Sequence, residues 1–245
     1  MPSLLFLLIM KIAIVDSKIT RKCQVALEKE GFFLIKLPPD RTLGKAVQSH
    51  PDTVLFHLDG ELITTADYCD DAAYLFSDLR EYCPEVKISF TSDLRSPVYP
   101  KDCVMNALVA DGKIFCKTDS VSEAIIRLAK RRGYEICHVN QGYPACTTLV
   151  FGRNAITADC GMAKALSDKG IKVTLISQGG IFLPPHQYGF IGGASAVYAD
   201  KVYLFGDLST HPDSELIRAT IENAGYKAVS LSDEELSDFG GVIFL

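Results

Sequence analysis

Several signatures are missing from this sequence, and each absence removes a class of function. Basic residues are not in excess: 25 Lys and Arg stand against 30 Asp and Glu, a formal charge of −5. No overall basic field therefore favours a phosphate backbone, and nucleic acid is not expected as a partner. The eight cysteines contain no CxxC pair and there is no His cluster at zinc spacing, so no metal site is expected. Dinucleotide-binding, P-loop, HExxH and GxSxG patterns are all missing, which leaves nucleotide, zinc-protease and serine-hydrolase readings without support and predicts no cofactor. The apolar run Leu4 to Ile9 has no basic n-region or small-residue cleavage site. Lys11 interrupts it well short of the ~20 residues a membrane span requires, so no membrane partner and a cytoplasmic location are expected.

What is present is a chain of 245 residues, 48% of them hydrophobic, enough to bury a substantial core without disulfides. The scattered cysteines read as small core residues in a reducing compartment. Met10 begins a clean strand, so residues 1–9 are expected to be an extra N-terminal segment or a mis-called start, and residues 10–245 one domain.

The sequence repeats itself. Thr53 to Asp67, Asn106 to Cys116, Thr148 to Asp159 and Ser195 to Asp207 each read as strand, tight turn, strand. The turns fall at Asp59-Gly60, Asp111-Gly112, Gly152-Arg153 and Ala199-Asp200, chemistry suited to two-residue hairpins. A helical pattern follows each hairpin, as from Ser120, Gly161 and Pro212, and then a third strand, as from Tyr134, Ile171 and Tyr226. The unit is strand, strand, helix, strand, in five copies. The first copy opens at its second strand, KIAIVD, with its opening strand missing. Val242 to Leu245 are expected to fill that vacancy and close a ring, because an open arc would leave strand edges unpaired.

Five such units closed by a C-terminal strand resemble the pentein fold, the five-fold pseudosymmetric α/β propeller of arginine deiminase, dimethylarginine hydrolase, amidinotransferases and translation initiation factor 6. The phrasing of RNAITADCGMAKALSDKGIKVTLI carries the same resemblance, and GFIGGASA with YLFGDLSTHPD resembles an uncharacterised bacterial pentein-like family. The resemblance implies a polar axial pocket for a guanidino or amine compound. In the deiminase branch it also implies a cysteine on the closing strand, yet here that strand is GGVIFL. Cys146 and Cys103, near the openings of units four and three, are the candidates for a displaced nucleophile.

Acids recur just past each second strand: Asp16, Asp67, Asp119, Asp159 and Asp207. They fit helix N-caps or a carboxylate-lined mouth, with Asp159 and Asp207 the leading ligand-binding candidates. The longest departure from the repeat, Gly179 to Gly193, carries His186 between prolines and a Gln-Tyr pair, as a candidate acid/base in a lid. Gly192 and Gly193 suit close backbone approach to a ligand, or turns. GDLSTHPD brings His211 and Asp213 beside Asp207, either as a second acid/base group or as helix capping. Asn106 is expected either to face the ligand or to bond turn backbone.

The expected function is binding of a small polar, guanidino or amine metabolite in the axial pocket. One alternative is a guanidino-modifying hydrolase or amidinotransferase with altered machinery; another is a non-catalytic interaction module like the initiation factor.

Overall fold

The computed structural model describes residues 11–245, so the expectation for residues 1–9 lies outside the described residues. The strands form five separate three-stranded sheets, one per repeat. Their middle strands are Lys11–Asp16, Glu61–Thr65, Lys113–Cys116, Asn154–Thr157 and Lys201–Leu204. Each middle strand pairs antiparallel with an opening strand and parallel with a third strand that returns after a helix. The hairpins close over two residues, and at Asp59-Gly60 and Asp111-Gly112 both residues hold the positive φ that Asp-Gly pairs tolerate.

The ring closes as the sequence predicts. Ile243–Phe244 pairs antiparallel with Lys11–Asp16, placing Ala13 opposite Phe244 and Ile14 opposite Ile243. Ile12 and Leu245 exchange backbone hydrogen bonds of 3.1 and 2.9 Å. Phe244 then packs its ring 4.8 Å from Phe32 and 5.1 Å from Tyr198, joining the first blade to the fifth.

The core is divided among the seams between blades. Ile12 and Ile14 of the first blade pack with Leu75 and Phe76 of the second. Comparable clusters join the second to the third through Ile63 and Ile125, and the third to the fourth through Phe115 and Met162. Ile156 with Ile217, and Tyr203 with Ala13, complete the circuit. Each sheet is thus buried on both faces, which is why its middle strand reads as an apolar run such as KIAIVD rather than an alternation. Each fully buried Leu or Ile is worth about 1.5–3 kcal/mol, so every seam is a substantial clamp.

At the axis, the segments leading into the opening strands bond to one another in a closed chain. Asp52 N donates to Gly240 O at 3.2 Å, Asn106 Nδ2 to Asp52 O at 2.9 Å, and Ala145 N to Asn106 Oδ1 at 2.9 Å. Gly193 N donates to Cys146 O at 3.0 Å, and Gly241 N to Gly193 O at 2.9 Å, returning to the start. The architecture is a pentein-like five-fold pseudosymmetric α/β propeller closed by its C-terminal strand. Among the described residues no helix is long and apolar enough to cross a membrane.

Candidate functional site

Two cavities meet at this axial circuit. The larger, about 600 Å3, lies under the loops and is lined by His50, Asp102, Tyr143, Cys146, His186 and Asp238 among others. The second, about 440 Å3, lies among the opening strands and reaches Asp52, Ala145, Gly192 and Gly240.

Each group of the larger cavity is held by local structure. His50 precedes the short helix Pro51–Val54, whose proline suits its first turn, and lies buried between two acids. Its Nε2 is 3.5 Å from Asp16 Oδ2 and its Nδ1 is 3.7 Å from Asp238 Oδ1. Asp16 ends the first middle strand, and one of its oxygens accepts from Ser49 Oγ at 2.7 Å. Asp238 accepts from Phe190 N at 2.8 Å and Gly240 N at 3.0 Å, which fixes its carboxylate against the 179–193 loop. That loop forms one wall of the cavity and is tied to the C-terminal segment by Phe182 N to Leu236 O, 2.8 Å, and Asp238 N to Phe182 O, 3.0 Å.

Asp102 accepts a short hydrogen bond from the Tyr143 hydroxyl, while its other oxygen is buried with no partner. The loop carrying Asp102 is anchored by Arg95, a buried guanidinium 2.8 Å from Asp40 Oδ2 that also donates to Thr65 Oγ1 and to the Val54 carbonyl. Cys146 receives Asn106 Nδ2 at 3.1 Å.

Burial dominates the electrostatics. It pulls His50 down to about 3, so the imidazole is neutral at pH 7. It pushes Asp238 up to about 6 and raises Asp16. Burial, reinforced by Asp52 and Asp238, lifts the Cys146 thiol well above its ordinary range, so the resting sulfur is a thiol. Burial and then Asp238 likewise raise Asp52, and both Asp52 oxygens are buried without hydrogen-bond partners. Among its described lining residues the larger cavity sets Asp102 and Asp238 against one lysine, Lys45.

The family model described as "Family of unknown function (DUF6873)" matches residues 14–243. The chain belongs to that family. No curated protein matches it in sequence. Solved structures do resemble it. The dimethylarginine dimethylaminohydrolase of Pseudomonas aeruginosa, a mutant complexed with citrulline, aligns at TM-score 0.56 and 10% identity over 91% of this chain and 92% of that one. Agmatine deiminase of C. jejuni gives 0.57 and 9% over 91% and 86%. A Microseira wollei amidinotransferase of the saxitoxin biosynthetic pathway gives 0.55 and 14% over 89% and 76%. These likenesses are to pentein proteins and carry the fold.

Within that fold the sequence candidates separate. His186 and Cys146 line the same large cavity, whereas His211 lines a smaller one of about 220 Å3 together with Asp159. His211 Nδ1 accepts from Asp213 N at 3.0 Å, and among the described hydrogen bonds none joins His186 or His211 to Asp159, Asp207 or a cysteine. Asp159 and Asp207 act as caps, accepting from Met162 N at 2.8 Å and Ser209 N at 2.9 Å. Asp213 accepts from Ser177 N at 2.5 Å. Cys103 is buried, with its sulfur bonded to Pro100 O at 3.2 Å. Asn106 serves the axial circuit. Gly192 and Gly193 bring backbone to backbone: a Cβ at Gly192 would strike the Ala145 carbonyl, and one at Gly193 the Asp238 carboxylate.

His50 is a buried member of the site. His138 is exposed at the end of the third strand Glu135–His138. Asp52, Asp102, Asp238 and Arg95 carry no sequence signal. Closing-strand chemistry is also clear: Gly240 stands where the C-terminal segment meets the axis, and a Cβ there would collide with His50.

Proposed function

We propose that the larger axial cavity binds a small guanidino or amine metabolite, with Asp102 and Asp238 taking the cationic group. The observation that supports this reading is the Asp102 carboxylate, half-buried on a cavity that also holds Asp238, with one oxygen accepting from Tyr143 and the other enclosed and unpartnered. A carboxylate accepts two parallel, charge-assisted bonds from a guanidinium, stronger than the same bonds from a neutral donor. Tyr143 and Tyr188 add aromatic faces suited to a cation. Agmatine and dimethylarginine, named with the proteins of similar fold, define the compounds to test.

A second reading, turnover by a guanidino-modifying hydrolase or transferase, draws support from Cys146 and His186 sharing this cavity. It requires the Cys146 thiol to lose its proton when substrate arrives, since burial and the nearby acids hold it protonated at rest. Binding alone needs no such change and is the reading favoured here.

A thermal-shift screen with arginine, agmatine, methylarginines and simple amines tests the proposal. At least one compound raises Tm in the native protein and fails to do so in Asp102→Asn. No shift with any of them overturns it.

A further inference from the structure

Residues 92–102 invert the usual order of burial. Leu94 and Val98 lie 71% and 68% exposed, whereas Arg95 is the one buried residue of the stretch. Arginine is almost never fully buried unless it is paired. Its partner is Asp40, 2.8 Å away and equally buried, from the connection between the first and second blades. Tyr68 covers the pair, with its ring 5.3 Å from the guanidinium and its hydroxyl donating to Pro38 O at 2.7 Å.

Each partner is the knot of its own loop. Asp40 N donates to Gln48 O at 2.7 Å, closing residues 40–48, and Asp40 Oδ1 accepts from Thr42 N at 2.7 Å. Beside Arg95, Ser96 N donates to Lys101 O at 3.4 Å, closing residues 96–101 next to Asp102. Arg95 Nη1 also donates to Val54 O at 3.1 Å, at the end of the helix Pro51–Val54 that follows His50. Both loops wall the larger cavity, the first through Lys45 and Val47, the second through Pro97 and Asp102. A buried ion pair is a weak source of stability, because desolvation offsets the attraction, and its better-attested use is to fix one arrangement among several.

We propose that the Arg95–Asp40 pair is a positioning element of the ligand site, setting the separation of the Lys45 and Asp102 walls of the larger cavity. Neither side chain is among the described lining residues, so the pair acts through the two loops it joins. For agmatine the inference rests on the guanidino reading of this cavity; for the placement of the walls it does not.

Two readouts test it in the double variant Asp40→Asn/Arg95→Met, which removes both charges together and leaves no buried ion unpaired. In amide hydrogen exchange, Asp40 and Ser96, whose N–H groups close the two loops, exchange at least about tenfold faster than in the native protein, while the axial amides of Gly193 and Gly241 are unchanged. In titration calorimetry on the folded variant, agmatine binds at least about tenfold more weakly. Arg95→Lys keeps the charge but gives up the fork to Thr65 and Val54, so it falls between the two proteins in both readouts, and it carries the test where the double variant does not fold. Gly60→Ala, strained elsewhere, behaves as native in both. Loop exchange that is unchanged, or that rises equally at Gly193 and Gly241, overturns the inference whatever agmatine does. Undiminished agmatine affinity in the variant also overturns it. If the native protein binds no agmatine, the guanidino reading falls and the exchange result alone decides the placement of the walls.

Discussion

Asn106 donates to the Cys146 sulfur at 3.1 Å, and the same side-chain nitrogen reaches the Asp52 carbonyl at 2.9 Å. Its oxygen accepts from Ala145 N, so one buried amide links the second, third and fourth blades at the axis. Where the other links of the circuit run backbone to backbone, this one needs a side chain with both donor and acceptor. Asn106→Leu keeps the volume and leaves a buried carbonyl and N–H unpaired. We expect a loss of about 2–4 kcal/mol in urea unfolding. A loss under about 1 kcal/mol would show that the link contributes little.

Gly240 meets the axis at φ +68° with His50 directly against it. Gly240→Ala adds strain to the backbone and forces His50 off its two acids. The expected result is destabilisation by about 2 kcal/mol or more together with weakened agmatine binding. Gly60, also at positive φ but with open space around it, is the control: Gly60→Ala costs only the backbone strain and leaves binding unchanged.

The pH dependence of stability separates His50 from the acids around it. Burial pushes Asp238 from 3.8 up to about 6, so between those values the folded protein holds a proton the unfolded chain has released. Stability from this group falls as pH rises through that window. Burial pulls His50 from 6.5 down to about 3, so the folded protein lacks a proton that the unfolded chain holds, and stability falls as pH drops. The two slopes oppose. In His50→Gln only the acids remain, and stability measured by urea unfolding falls more steeply with rising pH, by up to about 1.4 kcal/mol per unit. Asp16 and Asp52 are raised in both proteins and cancel in the comparison. Matching slopes would mean His50 is not buried as a neutral ring.

All eight cysteines are free thiols, and their environments predict an order of reactivity. Cys160 is exposed at the start of the helix Cys160–Asp168. Cys146 is buried and held protonated. Iodoacetamide at neutral pH, followed by peptide mass spectrometry, labels Cys160 first and Cys146 among the last. Saturating guanidino ligand that speeds Cys146 labelling would favour the turnover reading over simple binding.

The repeat was legible because each blade writes it locally: an Asp-Gly or similar turn, apolar strands, and a helix ending at glycine. Closure by Val242 to Leu245 was legible because the first unit visibly lacks a strand. The site was harder. Asp16, Asp67, Asp119, Asp159 and Asp207 share a sequence position, and Asp16, Asp67, Asp159 and Asp207 each accept from a nearby backbone N–H, yet Asp16 also lies beside His50, while Asp119 pairs with Lys117. The axial groups instead come from connections that carry no periodicity. His50 and Asp238 are 188 positions apart and meet only because the ring closes. Cys146 and His186 were accessible from sequence because they stand beside proline-marked departures from the repeat, a signal that Asp102 and Asp52 lack.

The most direct measurement is calorimetric titration of agmatine into the native protein and into Asp102→Asn. The account predicts one site per chain in the native protein, weakened at least about tenfold by removal of the one carboxylate charge. Equal affinity in the two proteins, or no binding to the native protein by agmatine, arginine or methylarginines, would contradict it.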